Sequence, residues 1–169
     1  MNNSASAMKA FHLLLAIVLV AGCGDPIEQD DATRWTPPSV APSGPQWTGK
    51  IAADKETGAM TAPGFNALID VEAPGWAQSP DTVVAALLDL NRGFDGPVEI
   101  YLLQEDKDST EPVLTVTLTR LGDDSVTAIR YRITLKRADD GRFRFVSGKR
   151  TFRCRPGRGH QDFETKWCS

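Results

Sequence analysis

The sequence predicts an α+β domain in which one or two helices precede and cover a curved antiparallel meander of four strands. Three observations carry that prediction. A capped, amphipathic segment begins at Ser79, three stretches of strict apolar/polar alternation follow it, and short polar connections join those stretches.

The helices come first. Phe65, Leu68 and Ile69 follow helical spacing shortly after Thr61, and Pro74-Gly75 stops the run, which predicts a short helix, although Leu68 to Val71 also suit a strand. The second helix is expected over Ser79 to Asn91. Ser79 can cap it, Pro80 suits the first helical position, Asp81 favours the positive end, and Gly93 lies beyond the last turn. Val83, Leu87 and Leu90 share one face that Val84 and Leu88 widen, so this helix needs a sheet to cover.

The strands follow. Val98, Ile100 and Leu102 alternate with polar neighbours, as do Leu114, Val116 and Leu118, and then Ile129, Tyr131, Ile133 and Leu135. Each alternation predicts one buried and one wet face. The fourth strand, Arg142 to Cys154, changes phase between Phe143/Phe145 and Phe152/Cys154, and Gly148 is the expected place for a bulge that absorbs the slip. Leu121 to Ser125 and Ala138 to Gly141 are the expected hairpin turns, and turn chemistry accounts for Asp123-Asp124 and Asp139-Asp140. Helices before a four-stranded meander resemble the cystatin-like and NTF2-like architectures in element order; a small β-sandwich is the alternative.

Ahead of the domain, Lys9 precedes an apolar block, Phe11 to Val20, and small residues follow it, the order of a secretory signal. The block is too short to span a membrane. Met8-Lys9 makes a better start for it than Met1, because Met1 to Ala7 adds no charged side chain. Val20-Ala21-Gly22-Cys23 resembles the lipobox of bacterial lipoproteins, which implies cleavage before Cys23, a diacylglyceryl group on its thiol and acylation (palmitate) of its amine. Each buried methylene contributes about 0.8 kcal/mol, so several chains anchor stably. The resemblance implies the bacterial cell envelope, with the outer membrane favoured over the inner because Gly24 rather than Asp follows the cysteine. The expected organisation is a signal peptide over 1–22, a Pro/Gly/Ser-rich flexible tether over 23–60, from which Trp35 or Trp47 packs back onto the domain, and one domain over 61–169.

Charge is divided. Residues 23–141 hold 10 basic and 20 acidic side chains, and residues 142–169 hold 8 basic and 2 acidic. The net charge of −3 gives no case for nucleic-acid binding. With Cys23 lipidated, Cys154 and Cys168 remain as an even pair in an oxidising compartment, and a disulfide between them is expected. Their spacing matches neither a redox Cys-x-x-Cys nor a zinc motif, and no metal or cofactor is expected.

The segment Arg153-Cys154-Arg155-Pro156-Gly157-Arg158-Gly159-His160-Gln161-Asp162-Phe163, closing at Cys168, resembles the ending of a family of uncharacterised secreted or lipid-anchored bacterial domains. Trp76-Ala77-Gln78-Ser79-Pro80, Asp123-Asp124-Ser125-Val126 and Arg130-Tyr131 carry the same likeness, which implies a domain from about Phe65 onward and no particular activity.

The candidate functional residues are basic. Arg153, Arg155, Arg158 and His160 around a glycine-rich turn are candidates for holding an anion, against the plainer reading of a turn inside a disulfide loop. Arg130, Arg132 and Lys136, opposite Arg142 and Arg144, form a basic strand face that is either simply solvated or a surface for an acidic protein or an anionic envelope polymer. His160, Asp162 and Glu164 alternate and would share a face on an extended segment, a weak metal set. No Gly-x-Ser-x-Gly elbow precedes His160. The expectation is a lipid-anchored, non-enzymatic binding module using the basic sheet and the disulfide loop. The alternative is a small-molecule-binding or enzymatic cystatin-like domain with a pocket between the second helix and the sheet.

Overall fold

The computed structural model describes residues 32–38, 45–94 and 96–169; the expected signal segment and Cys23 lie outside the described residues. The architecture is α+β. In chain order the elements are β1 (Thr33–Arg34), β2 (Ala52–Ala53), β3 (Met60–Thr61), α1 (Phe65–Glu72), α2 (Pro80–Leu87), β4 (Glu99–Glu105), β5 (Val113–Thr119), β6 (Val126–Arg137) and β7 (Phe143–Cys154). Strands β4 to β7 form the expected meander, β1 adds a fifth strand beside β4, and β2 pairs with β3 in a separate hairpin. All pairings are antiparallel.

Both helices cover one face of the sheet. Alternation puts Leu114, Val116, Ile133 and Leu135 on that face, where they join Phe65 and Ile69 of α1 and Val83, Val84 and Leu87 of α2 in a single core. Among the described residues no polar or charged side chain is buried. Helix α1 ends at Ala73, whose left-handed backbone (φ 47°) precedes Pro74. Helix α2 is shorter than expected. Ser79 does precede Pro80, but its hydroxyl donates to the Asp81 carboxylate and makes no side-chain cap. The α-helix stops at Leu87, the backbone turns at Asp89 (φ 52°), and a 3-10 turn over Leu90–Arg92 brings Leu90 back into the core. Asp tolerates that left-handed turn because its short polar side chain can bond locally.

The phase slip in the last strand is real, but it occurs two residues before the expected position. Thr134 pairs with Ser147 and Leu135 with Phe145, which leaves Val146 as the extra residue, 54% exposed. Gly148 instead pairs regularly with Ile133. A Cβ there would stand 2.9 Å from Met60 Sδ and 3.3 Å from the Phe145 ring, so this glycine admits Met60 of β3 onto the sheet. A second slip leaves Thr127 unpaired between Val126 and Ala128.

Residues expected to belong to the tether contribute to this domain. The Trp47 ring meets Phe65 edge-on at 5.2 Å, Trp76 lies 5.7 Å from Phe65, and Trp76 Nε1 donates to the Pro45 carbonyl at 3.3 Å. Trp35 packs against the same core, and its N–H donates to the Ile100 carbonyl at 2.8 Å. Both tryptophans pack back, and ordered structure begins well before Thr61. Burial of their rings outweighs the linker-like composition around them.

The outer edge of β7 is occupied along its length, which removes a template for uncontrolled strand addition. Asn66 of α1 accepts from the Phe145 N–H at 2.9 Å and donates to its carbonyl at 2.8 Å. Arg150 N–H donates to the Gly58 carbonyl, and Phe152 and Glu164 exchange both backbone hydrogen bonds. The chain after β7 thereby folds back along its own strand.

Candidate functional site

The C-terminal loop is built around the disulfide. Cys154 and Cys168 are joined, with Cα atoms 5.4 Å apart, and together with Val126 and Phe152 they form a second small core. Arg155 Nε donates to the Asp123 carbonyl at 2.9 Å, which ties the loop to the β5–β6 turn. That turn is set by Asp123, whose carboxylate accepts the N–H groups of Ser125 and Val126 at 2.7 and 2.8 Å; these two bonds hold its pKa below the ordinary value. Arg158 reaches the exposed Asp124 carboxylate at 3.6 Å. Arg155 and Arg158 are therefore engaged with this turn and do not converge on a shared anion cradle.

His160 acts as a clamp. Nδ1 lies 2.9 Å from the Asp162 carbonyl and Nε2 2.8 Å from the Lys166 carbonyl; a carbonyl only accepts, so the two bonds are made together in the doubly protonated ring. Burial is the largest single influence on its pKa and pulls it down. The two carbonyl bonds and the nearby Glu164 charge together outweigh burial, and the net shift is upward. The imidazole faces Cys154 Sγ at 3.4 Å rather than a shared face with the Asp162 and Glu164 carboxylates. Among the described residues, the group of ligand type that comes together is Cys154, His160 and Cys168.

The remaining candidates lie on the sheet face away from the helices. There the Cα pairing sets Thr117 opposite Arg130 and Thr115 opposite Arg132, and on the other side Thr151 opposite Arg130 and Lys149 opposite Arg132. Phe163 of the C-terminal loop lies on this face between two guanidinium groups, with Arg130 at 3.9 Å and Arg153 at 4.6 Å from its ring centre. Cation–π contact of this kind contributes about 0.5–2 kcal/mol, so Phe163 fixes both cations in place. Arg132 Nη2 donates to both carboxylate oxygens of Glu105, at 3.0 and 3.2 Å.

Arg144 is committed elsewhere. Its Nη2 meets Asp140 at 2.8 Å and its Nε meets Asp70 of α1 at 2.7 Å, so it closes the β6–β7 turn and holds α1 to the sheet. The Arg144 hydrogen bond is the main reason that Asp140 has a pKa well below the usual carboxylate range. Arg142 also pairs with Asp140, at 3.2 Å, and Lys136 with Glu111, at 3.1 Å.

Two residues join the face that alternation alone does not assign to it, Lys149 and Thr151. Because a slip before Lys149 brings Phe152 and Cys154 to the helix side, Lys149, Thr151 and Arg153 face away from the helices. Among the described residues no carboxylate pairs with Lys149 or Arg153. Lys149 stands directly opposite Arg132, and Lys136 directly opposite Arg144. Like charges directly across a strand pair are destabilising.

No family model, curated protein or solved structure matches this chain.

Proposed function

We propose that this chain is a lipid-anchored interaction module of the bacterial envelope that binds an anionic envelope polymer through the open face of β6 and β7. The carrying observation is the cross-strand opposition of Lys149 and Arg132 on an uncovered face. A solvated face with no ligand gains nothing from opposed like charges, whereas a row of closely spaced anions turns their repulsion into shared attraction. Arg130 and Arg153, oriented by Phe163, extend the row.

A polymer suits this face better than a folded protein. Protein interfaces are anchored by buried aromatic and aliphatic side chains, while this face offers threonines between cations, and its Phe163 is already held between Arg130 and Arg153. Of the large apolar side chains that are exposed among the described residues, Val71, Phe94 and Trp167 lie outside β6 and β7, and Val146 is the single bulge residue of β7. The interior between α2 and the sheet is apolar, with no polar or charged side chain buried among the described residues, and this disfavours the pocket-based alternative, which needs inward polar groups. Anchoring through Cys23 and a closer kinship with cystatin-like or NTF2-like domains are parts of the same proposal, resting on the lipobox order and on the order of helices and strands.

Calorimetric titration of the protein with dextran sulfate, against neutral dextran, tests the reading. Saturable heat with the sulfated polymer alone supports it. No heat with either polymer, or capture by anionic phospholipid vesicles without binding to soluble polyanion, overturns it.

A further inference from the structure

Cys154, Cys168 and His160 bring two sulfur atoms and an imidazole nitrogen within 4.8 Å of one another at the end of β7. Both cysteines are buried, at 1% and 4% exposure, in the small core under the C-terminal loop. His160 Nε2 is 3.4 Å from Cys154 Sγ. In tetrahedral zinc sites sulfur lies at about 2.3 Å and imidazole nitrogen at about 2.0–2.1 Å, which separates those two ligands by roughly 3.6 Å. The ring therefore already stands at ligand spacing from one sulfur. Its other nitrogen, Nδ1, donates to the Asp162 carbonyl at 2.9 Å. That is the outer hydrogen bond by which proteins orient a metal-binding histidine and select its tautomer.

We infer that reduction of the Cys154–Cys168 disulfide converts this cluster into a site for zinc, held by two thiolates and His160 Nε2 with a fourth position for water. The inference is independent of the sheet face and its ligand. Two thiolates and an imidazole are a donor set that favours zinc over the harder magnesium and calcium. The Cα separation of 5.4 Å lets side-chain rotation move the sulfurs apart once the bond between them is broken.

The chemistry balances with a dithiol as reductant. Its two electrons break the S–S bond, two cysteine thiols form, and the dithiol closes to its own disulfide. Zinc then displaces the two thiol protons, and Nε2 loses its proton and its bond to the Lys166 carbonyl to take the metal. An oxidant that accepts two electrons from the thiolates restores the disulfide and expels the ion. Metal occupancy thus reports the redox state of the loop.

The test uses the full chain with Cys23→Ser, so that Cys154 and Cys168 are the only thiols. The protein is reduced with a phosphine, which becomes its oxide with oxygen from water, freed of reductant and titrated without air with cobalt(II), then zinc. The expected result is sulfur-to-cobalt charge transfer in the near ultraviolet and tetrahedral visible bands that saturate at one equivalent. Zinc abolishes both, and the oxidised protein shows neither. His160→Gln weakens cobalt binding at least tenfold, and His160→Cys retains it with stronger charge transfer. Absence of the bands in reduced protein overturns the inference. So does equal affinity of His160→Gln, equal binding by the urea-unfolded chain, or loss of the sheet's circular dichroism on reduction that zinc does not restore.

Discussion

Replacing Lys149 by glutamate separates the needs of folding from the needs of binding. Lys149 is exposed and its Cα is the direct partner of Arg132. Partnered Cα atoms stand about 4.5–5.5 Å apart. The two charges sit at the ends of flexible side chains; at a charge separation of roughly 5 Å Coulomb's law in water gives about 0.8 kcal/mol between unit charges, and screening at physiological salt roughly halves it. Reversing one sign turns a cost of about 0.4 kcal/mol into a gain of similar size. The introduced carboxylate would share Arg132 with Glu105, which already holds it at 3.0 Å, so the lower part of a range of about 0.5–1 kcal/mol is expected. In urea denaturation this is a higher midpoint at unchanged slope. Lys149→Ala, which only removes the repulsion, gains about half as much. If Lys149→Glu is neutral or destabilising, the opposed charges cost nothing, and their presence on the open face is no sign of a ligand.

Three other outcomes follow from the geometry. Gly148→Ala forces a Cβ against Met60 and the Phe145 ring and costs about 1–3 kcal/mol, and combining it with Met60→Ala recovers part of that cost beyond additivity, as a double-mutant cycle measures. Reducing the disulfide, which spans 14 residues of sequence, costs about 3 kcal/mol in metal-free thermal or urea unfolding at the same pH. The depressed pKa of Asp123 contributes stability that is fully present above its ordinary value of 3.8 and is lost as pH falls through the lower, folded value. Melting temperatures measured from pH 6 downward therefore fall less steeply below about pH 4 for Asp123→Asn than for the unaltered chain.

The meander is legible in the sequence because alternation over five to seven residues, repeated three times, has few competing explanations, and each hairpin turn carries its own Asp or Gly. The ends of elements are less so. Helix α2 loses its last turn to the backbone reversal at Asp89, which no local pattern announces, and a two-residue strand such as Thr33–Arg34 has no period to read. The bulge is detectable as a change of phase but not placeable. Gly148 draws attention for lacking a side chain, yet what it provides is room for Met60, a residue 88 positions earlier.

The candidate site divides in the same way. Its arginines are visible in the sequence, but whether each is committed depends on distant chain, Asp70 for Arg144 and Glu105 for Arg132. The placement of Lys149 depends on the bulge. His160 would align with Asp162 and Glu164 on an extended strand; the loop instead turns its ring toward Cys154.

The salt dependence of binding to dextran sulfate, compared between the unaltered protein and the double variant Arg132→Gln/Lys149→Gln, tests the central claim most directly. If these side chains neutralise anions of the polymer, the plot of log affinity against log salt concentration becomes shallower by about two on replacing both, and affinity at low salt drops. An unchanged slope with unchanged affinity would show that the open face of β6 and β7 is not where the polymer binds.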